Sequence, residues 1–234
     1  MTALAHVKSV KSTNRGFPNS SLHLESSVKS FSLRRRVQLQ LRSPVLAGIT
    51  ISNVIGFDDY PFQRTHRGDV GVVGAVYSGN RLDGIVSGRV RRDGTNATRS
   101  LVDLVRYSKF APQLQLVMLQ GIALAGFNVL DIHEMHQSLN VPVLVVARRA
   151  PHMESIREAL LSHVRGGRRK WELVQKAGAM EPVEGVFVQR AGLTLEEAAE
   201  VIRRFAAHGN IPEPLRVAHL IAGGIATGES KGRP

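Results

Sequence analysis

Two adjacent carboxylates, Asp58 and Asp59, follow a long apolar run in GFDDYPF (56–62). Charged groups at the end of a buried strand are costly unless paired, hydrogen-bonded or bound to a cation. Side chains alternate along a strand, so only one of the two can point across a given face. We take Asp58 as the metal-facing acid and Asp59 as its support; a polar turn ahead of Pro61 is the alternative. Asp93, in RRDGTN (91–96), lies between an expected strand and an expected helix and is a candidate second metal ligand. Asp-Gly also makes turns and caps, which is the competing reading there. The stretch from Gln120-Gly121 to Gly126-Phe127-Asn128 leads from a strand to a helix, where backbone amides can receive a phosphate or simply close a loop. The C-terminal IPEPLRVAH (211–219) and GESKGR (228–233) end the chain in glycine-spaced basic residues able to follow a phosphodiester backbone, although a frayed terminus would have the same composition.

Other chemistries find no support. There is no phosphate-binding P-loop and no G-x-G-x-x-G after a strand, so nucleotide hydrolysis and nicotinamide chemistry are unsupported. His133 and His136 are three residues apart, whereas the helical zinc motif places its histidines four apart, so we read them as an ordinary helix edge. Cysteine is absent. That removes disulfide-linked partners and thiolate metal sites, and suits a reducing compartment such as the cytoplasm. No apolar run approaches the length of a membrane span.

The elements that must position these residues follow from hydrophobic periodicity. Residues 45–57 read as a buried strand, and 70–76 and 82–90 as two more, joined by a turn at 78–80. A helix begins at Asn96, a short strand covers 116–119, and Asn128 is expected to cap a second helix carrying Asp131 in its first turn. A strand at 141–146, helices from Pro151 and from 168 to 176, and a strand at 186–189 follow. Thr194 and Glu197 form a capping box for a helix ended by Gly209, and 214–227 is the last helix. A meander followed by strand-helix crossovers predicts an α/β fold: one mixed sheet with helices on both faces.

Of the formal charge of +12, residues 1–43 contribute +7 and leave +5 for the body. We therefore expect a basic, disordered tail at 1–43 and one domain over 44–234. Both basic parts favour a polyanionic partner through counterion release. The tail is Ser- and Arg-rich and acid-poor, like an organelle transit peptide, and fits equally a mis-assigned translation start.

Taken together, GFDDYPF, LDGIVSGRVRRDGTNAT, AGFNVLDI, VPVLVVARR, IPEPLRVAHLIAGG and GESKGR resemble the archaeal endonuclease dU family, a distant relative of endonuclease V. The resemblance spans about residues 50–233. It implies a ribonuclease-H-like fold and a Mg²⁺- or Mn²⁺-dependent endonuclease of DNA repair acting on DNA with deaminated bases, deoxyuridine above all and also deoxyinosine. Asp58 matches the first-strand metal Asp, and Asp93 is the candidate acid after the third strand. Asp59 and Glu229 are possible assistants, with Glu229 a further metal ligand, and Arg148, Arg149, Lys231 and Arg233 are expected near phosphates. Three departures from endonuclease V stand out. Gln120-Gly121 replaces an Asp-Gly, and a neutral amide is a weaker ligand for a hard cation. Arg148 replaces a Lys and cannot lose its proton, and His219 replaces an Asp. They keep open the alternative of a nucleic-acid-binding protein that retains the fold without catalysis.

Overall fold

Residues 50–230 are described by the computed structural model. The basic segment 1–43, the first residues expected in the leading strand, Lys231 and Arg233 lie outside the described residues. The chain opens with β1 (Asn53–Asp59), β2 (Asp69–Ser78) and β3 (Arg81–Arg91). Both pairings are antiparallel, as the meander predicts, and Gly79 supplies the left-handed turn between β2 and β3 at φ 58°. Helix α1 (Ala97–Arg106) then leads to β4 (Leu116–Gln120). The ribbon β5 (Ala123–Leu124) and β6 (Asn128–Val129) precedes α2 (Ile132–Leu139) and β7 (Val143–Ala147). Helices α3 (Met153–His163) and α4 (Gly167–Lys176) are followed by the hairpin β8 (Glu181–Val183) and β9 (Val186–Ala191). Helices α5 (Leu195–Phe205) and α6 (Glu213–Thr227) complete the described chain.

Seven strands form one sheet in the order β3-β2-β1-β4-β7-β9-β8. β1, β4 and β7 run parallel, and β9 returns antiparallel. Because β3 is twice reversed from β1, the C-terminal ends of β1, β3, β4 and β7 reach the same edge of the sheet. Asp58, Asp59, Asp93, Gln120 and Arg148 belong to that edge, where open α/β sheets bind ligands.

Alternation sorts the core into two layers. Ile55, Phe57, Val117 and Leu119 face α1 and α2, where Leu101, Val105, Ile132 and Met135 meet them. Val54, Leu116, Met118 and Leu144 face α5 and α6, against Ala198, Ile202, Leu215 and Ala218. Helices thus cover both faces. Burying each large apolar side chain stabilises by about 1.5–3 kcal/mol. Gly56 sets how closely α6 crosses β1, since a Cβ there would fall 2.5 Å from the backbone carbonyl carbon of Pro214. That close crossing carries His219, one turn further along α6, over the end of β1.

Several local expectations are corrected. The first strand includes Asp58 and Asp59 and is described only from Asn53, so the paired acids sit within it rather than after it. Asn128 does not cap α2. It lies in β6, fully buried, and its Oδ1 accepts the N–H of Ala97 at 3.1 Å, capping α1 from 31 residues away. Asp131 caps α2, accepting the N–H groups of His133 and Glu134. Asn96 stands before α1 but its side chain instead accepts the N–H of Arg91 at 3.0 Å. The Thr194–Glu197 capping box is present, while α5 ends at Phe205, ahead of Gly209. The ribbon β5–β6 and the short β8 were not expected; two- and three-residue strands leave no periodicity to read.

Candidate active site

Neighbours in sequence, Asp58 and Asp59 are separated by the strand's alternation. Asp58 points to the α6 side and is only 5% exposed. Its Oδ2 lies 2.8 Å from Nδ1 of His219, and its Oδ1 accepts the N–H of Asp59 at 2.9 Å. Burial is the largest influence on its pKa and raises it above the usual carboxylate range, with the His219 contact opposing. Asp59 turns to the other side, where Oδ2 accepts the N–H of Ala125 at 2.6 Å. Burial first, and the Asp58 charge second, push its pKa up to about 6. Two carboxylates in one poorly solvated place cannot both ionise without a proton or a cation between them.

Gln120 adjoins this pair. The β1–β4 ladder closes at Phe57 opposite Leu119, so the next pair in register is Asp58 with Gln120, both on the α6 side. Gln120 Oε1 is buried and has no hydrogen-bond partner among the described residues. Leaving an acceptor so costs about 1–3 kcal/mol. Gln120 therefore presents an oxygen, held bare beside Asp58. An oxygen-only donor set suits a hard cation such as Mg²⁺, which takes one or two protein carboxylates and keeps several waters. Asp58 and Gln120 fit that requirement as a small donor set completed by water. Among the described residues no group of three His, Cys, Asp or Glu is arranged to hold a metal.

Asp93 lies at the same edge with its oxygens engaged. Oδ1 accepts the N–H of Phe127 at 2.9 Å and Oδ2 is 3.1 Å from Nε of Arg92. Its own N–H donates to Ala125 at 2.9 Å, its φ is 50°, and a Cβ on Gly126 would collide with its carboxylate. Asp59 and Asp93 together grip residues 125–127. Lys170, 1% exposed on the apolar side of α4, donates through Nζ to the Asp93 carbonyl, and burial lowers its pKa. The chain turns back after α6, where Ser230 Oγ donates to the Leu220 carbonyl at 3.0 Å, and Glu229 lies in that turn. Its carbonyl accepts the Thr227 hydroxyl at 2.7 Å. Arg148 and Arg149 are exposed just beyond β7, two and three positions past Val146, the partner of Gln120.

Three participants escaped sequence reading. Lys170 was signalled by its spacing with Gly167 and Val174 on the buried side of α4. His219 counted as a departure, yet it shares the helical face of Leu215, Ala218 and Ala222, which marks it as facing the sheet. Arg92 had no local signal. It donates to the carbonyls of Arg64 and His66 and stacks 5.5 Å from the Phe62 ring centroid, pinning the segment after β1.

The sequence model described as Endonuclease dU matches residues 50–226. A UPF0215 protein of Deinococcus radiodurans is 58% identical over 183 residues, covering 78% of this chain and 93% of its own. The crystal structure of a protein of unknown function from Archaeoglobus fulgidus aligns with a TM-score of 0.70 and 34% identity, over 75% of this chain and 99% of that one. The catalytic domain of human Endonuclease V aligns with a TM-score of 0.49 and 16% identity, over 77% of this chain and 84% of its own.

Proposed function

This chain belongs to the endonuclease dU family, and from that premise we propose that it is a Mg²⁺- or Mn²⁺-dependent endonuclease that hydrolyses phosphodiester bonds in DNA containing deaminated bases, deoxyuridine above all. The observation that carries the reading is Asp58, buried at the end of the central strand between His219 and the partnerless oxygen of Gln120. The sheet order supports a ribonuclease-H-like assignment: a three-strand antiparallel meander whose first strand pairs in parallel with the strand after α1.

Asp58 and Gln120 would hold the ion, with Asp59 reinforcing the local negative charge. When bound, the ion lowers the pKa of a water and stabilises the leaving oxygen. His219 fixes the Asp58 carboxylate through Oδ2 and is placed to take up or return a proton at the same edge. Arg148 and Arg149 offer a fixed positive charge to phosphate. Asp93 acts by fixing the 125–127 segment. Damaged bases are easier to extrude from a duplex, which gives a physical source of selectivity.

A second reading, a nucleic-acid-binding protein without catalysis, is favoured by the amide at Gln120 and by the engaged oxygens of Asp93. One assay separates the two. Labelled oligonucleotides containing deoxyuridine, deoxyinosine or only normal bases are incubated with the protein and Mg²⁺, Mn²⁺ or chelator. Metal-dependent nicking lost in Asp58→Ala supports the enzyme. Salt-sensitive binding without nicking supports the binder and overturns the hydrolytic reading.

A further inference from the structure

Beside the carboxylates, on the α6 side, the segment after β1 folds back over β2 and leaves an open cleft of about 420 Å³ between itself, β3 and the end of α6. That volume lies within the roughly 300–1,000 Å³ of small-molecule sites. Tyr60 and Phe62 give it an aromatic wall, Ile225 and Ala226 an apolar one, and Gln63 and Arg89 polar groups at its margin. Tyr60 is pressed against β2 because Gly71 has no side chain; a Cβ there would fall 2.5 Å from the Tyr60 ring. Arg92 holds the segment's carbonyls from below. Ile225 is 61% exposed, leaving much of its aliphatic surface open at the cleft.

We propose that this cleft receives the extruded nucleobase of the DNA substrate, with Tyr60 and Phe62 against its face, Ile225 closing the other side and Gln63 reading its hydrogen-bonding edge. The inference rests on the endonuclease reading above and adds to it the place where the base is recognised. Its position favours this occupant. Asp58 pairs with Val73 in the β1–β2 register, and Gly71 lies two residues away on the same face, about 7 Å along β2. A base in the cleft thus stays covalently within reach of a phosphate at Asp58. Stacking on aromatic rings is tolerant of base identity, so discrimination falls to Gln63, whose amide offers both a donor and an acceptor to a base edge. Arg89, exposed on β3 opposite Gly71, meets the attached phosphate.

The test uses the full chain in chelator, so that binding is read without cutting. Affinities are measured for an oligonucleotide carrying one deoxyuridine and for the same sequence with thymidine. Ala226→Trp, on the exposed last turn of α6, fills the cleft; Gln63→Ala removes the reading group and leaves the cleft open. We expect wild type to prefer the deoxyuridine strand at least tenfold, Ala226→Trp to reduce that ratio to about one with thymidine-strand affinity unchanged, and Gln63→Ala to lower it several-fold. A wild type without preference, or an Ala226→Trp protein that keeps it, overturns the assignment. Failure of the endonuclease reading looks different: preference in binding is retained while no metal produces nicking.

Discussion

Asp58 and Asp93 are both acids at the carboxyl edge of one sheet, and the molecule uses them in opposite ways. Around Asp93 both carboxylate oxygens are engaged, although Arg92 Nε makes an ion-pair contact rather than a formed hydrogen bond. A backbone amide, a guanidinium and a buried lysine surround it, and the chain there adopts a left-handed conformation that Asp tolerates. Around Asp58 the satisfaction is incomplete. Its pKa is raised by burial, that of its neighbour Asp59 is raised with it, and Gln120, next in register, has a side-chain oxygen with no partner. A region that completes most of its own hydrogen bonds builds structure; one that leaves a buried oxygen bare beside poorly solvated acids retains free energy for a ligand.

The largest expected effect breaks this contrast through activity. Asp58→Asn should lower metal-dependent nicking by at least 100-fold while leaving the melting temperature equal or higher, because a charge difficult to bury is removed. A nicking rate within tenfold of wild type would show that Asp58 is not central. The mirror substitution acts on stability. Asp93→Ala strips the partners of Phe127 and Arg92 and should cost about 2 kcal/mol in denaturant unfolding, with Asp93→Asn milder because Asn keeps an acceptor and tolerates φ near 50°. If Asp93→Ala leaves stability unchanged but removes metal-dependent activity, the roles assigned to the two acids are reversed.

A third measurement concerns pH. Asp59 holds its proton more tightly folded than unfolded, so the native chain binds more protons between about pH 4 and 6. Stability without metal should therefore fall as pH rises through that window. Divalent ions compete with those protons, so Mg²⁺ should raise the melting temperature more at pH 7.5 than at pH 5; an equal rise at both would detach metal binding from the acid pair. The smallest effect is electrostatic. Arg148→Ala and Arg149→Ala should each weaken DNA binding a few-fold and reduce the salt slope by about one. Unchanged slopes would remove both residues from the phosphate track.

Much of the architecture was legible because it is locally encoded. Alternating Val and Ile runs announced the meander, and Thr194 with Glu197 announced the start of α5. The pair Asp58-Asp59 stood out as charge inside an apolar run. What escaped was whatever depends on partners distant in the chain. Asn128 looked like the cap of the helix that follows it and instead caps α1, because a buried amide satisfies whichever orphan donor the fold brings near.

By itself, the sequence determined the elements, their amphipathic faces and the presence of two acids at the end of a central strand, since periodicity and capping act over a few residues. The tertiary structure decided which acid met His219, 161 positions away, which was given to the Ala125 amide, and which glutamine oxygen was left bare. Those outcomes depend on strand register and on the depth of one helix crossing at Gly56. Both are set by packing of the whole sheet, to which no local pattern is sensitive.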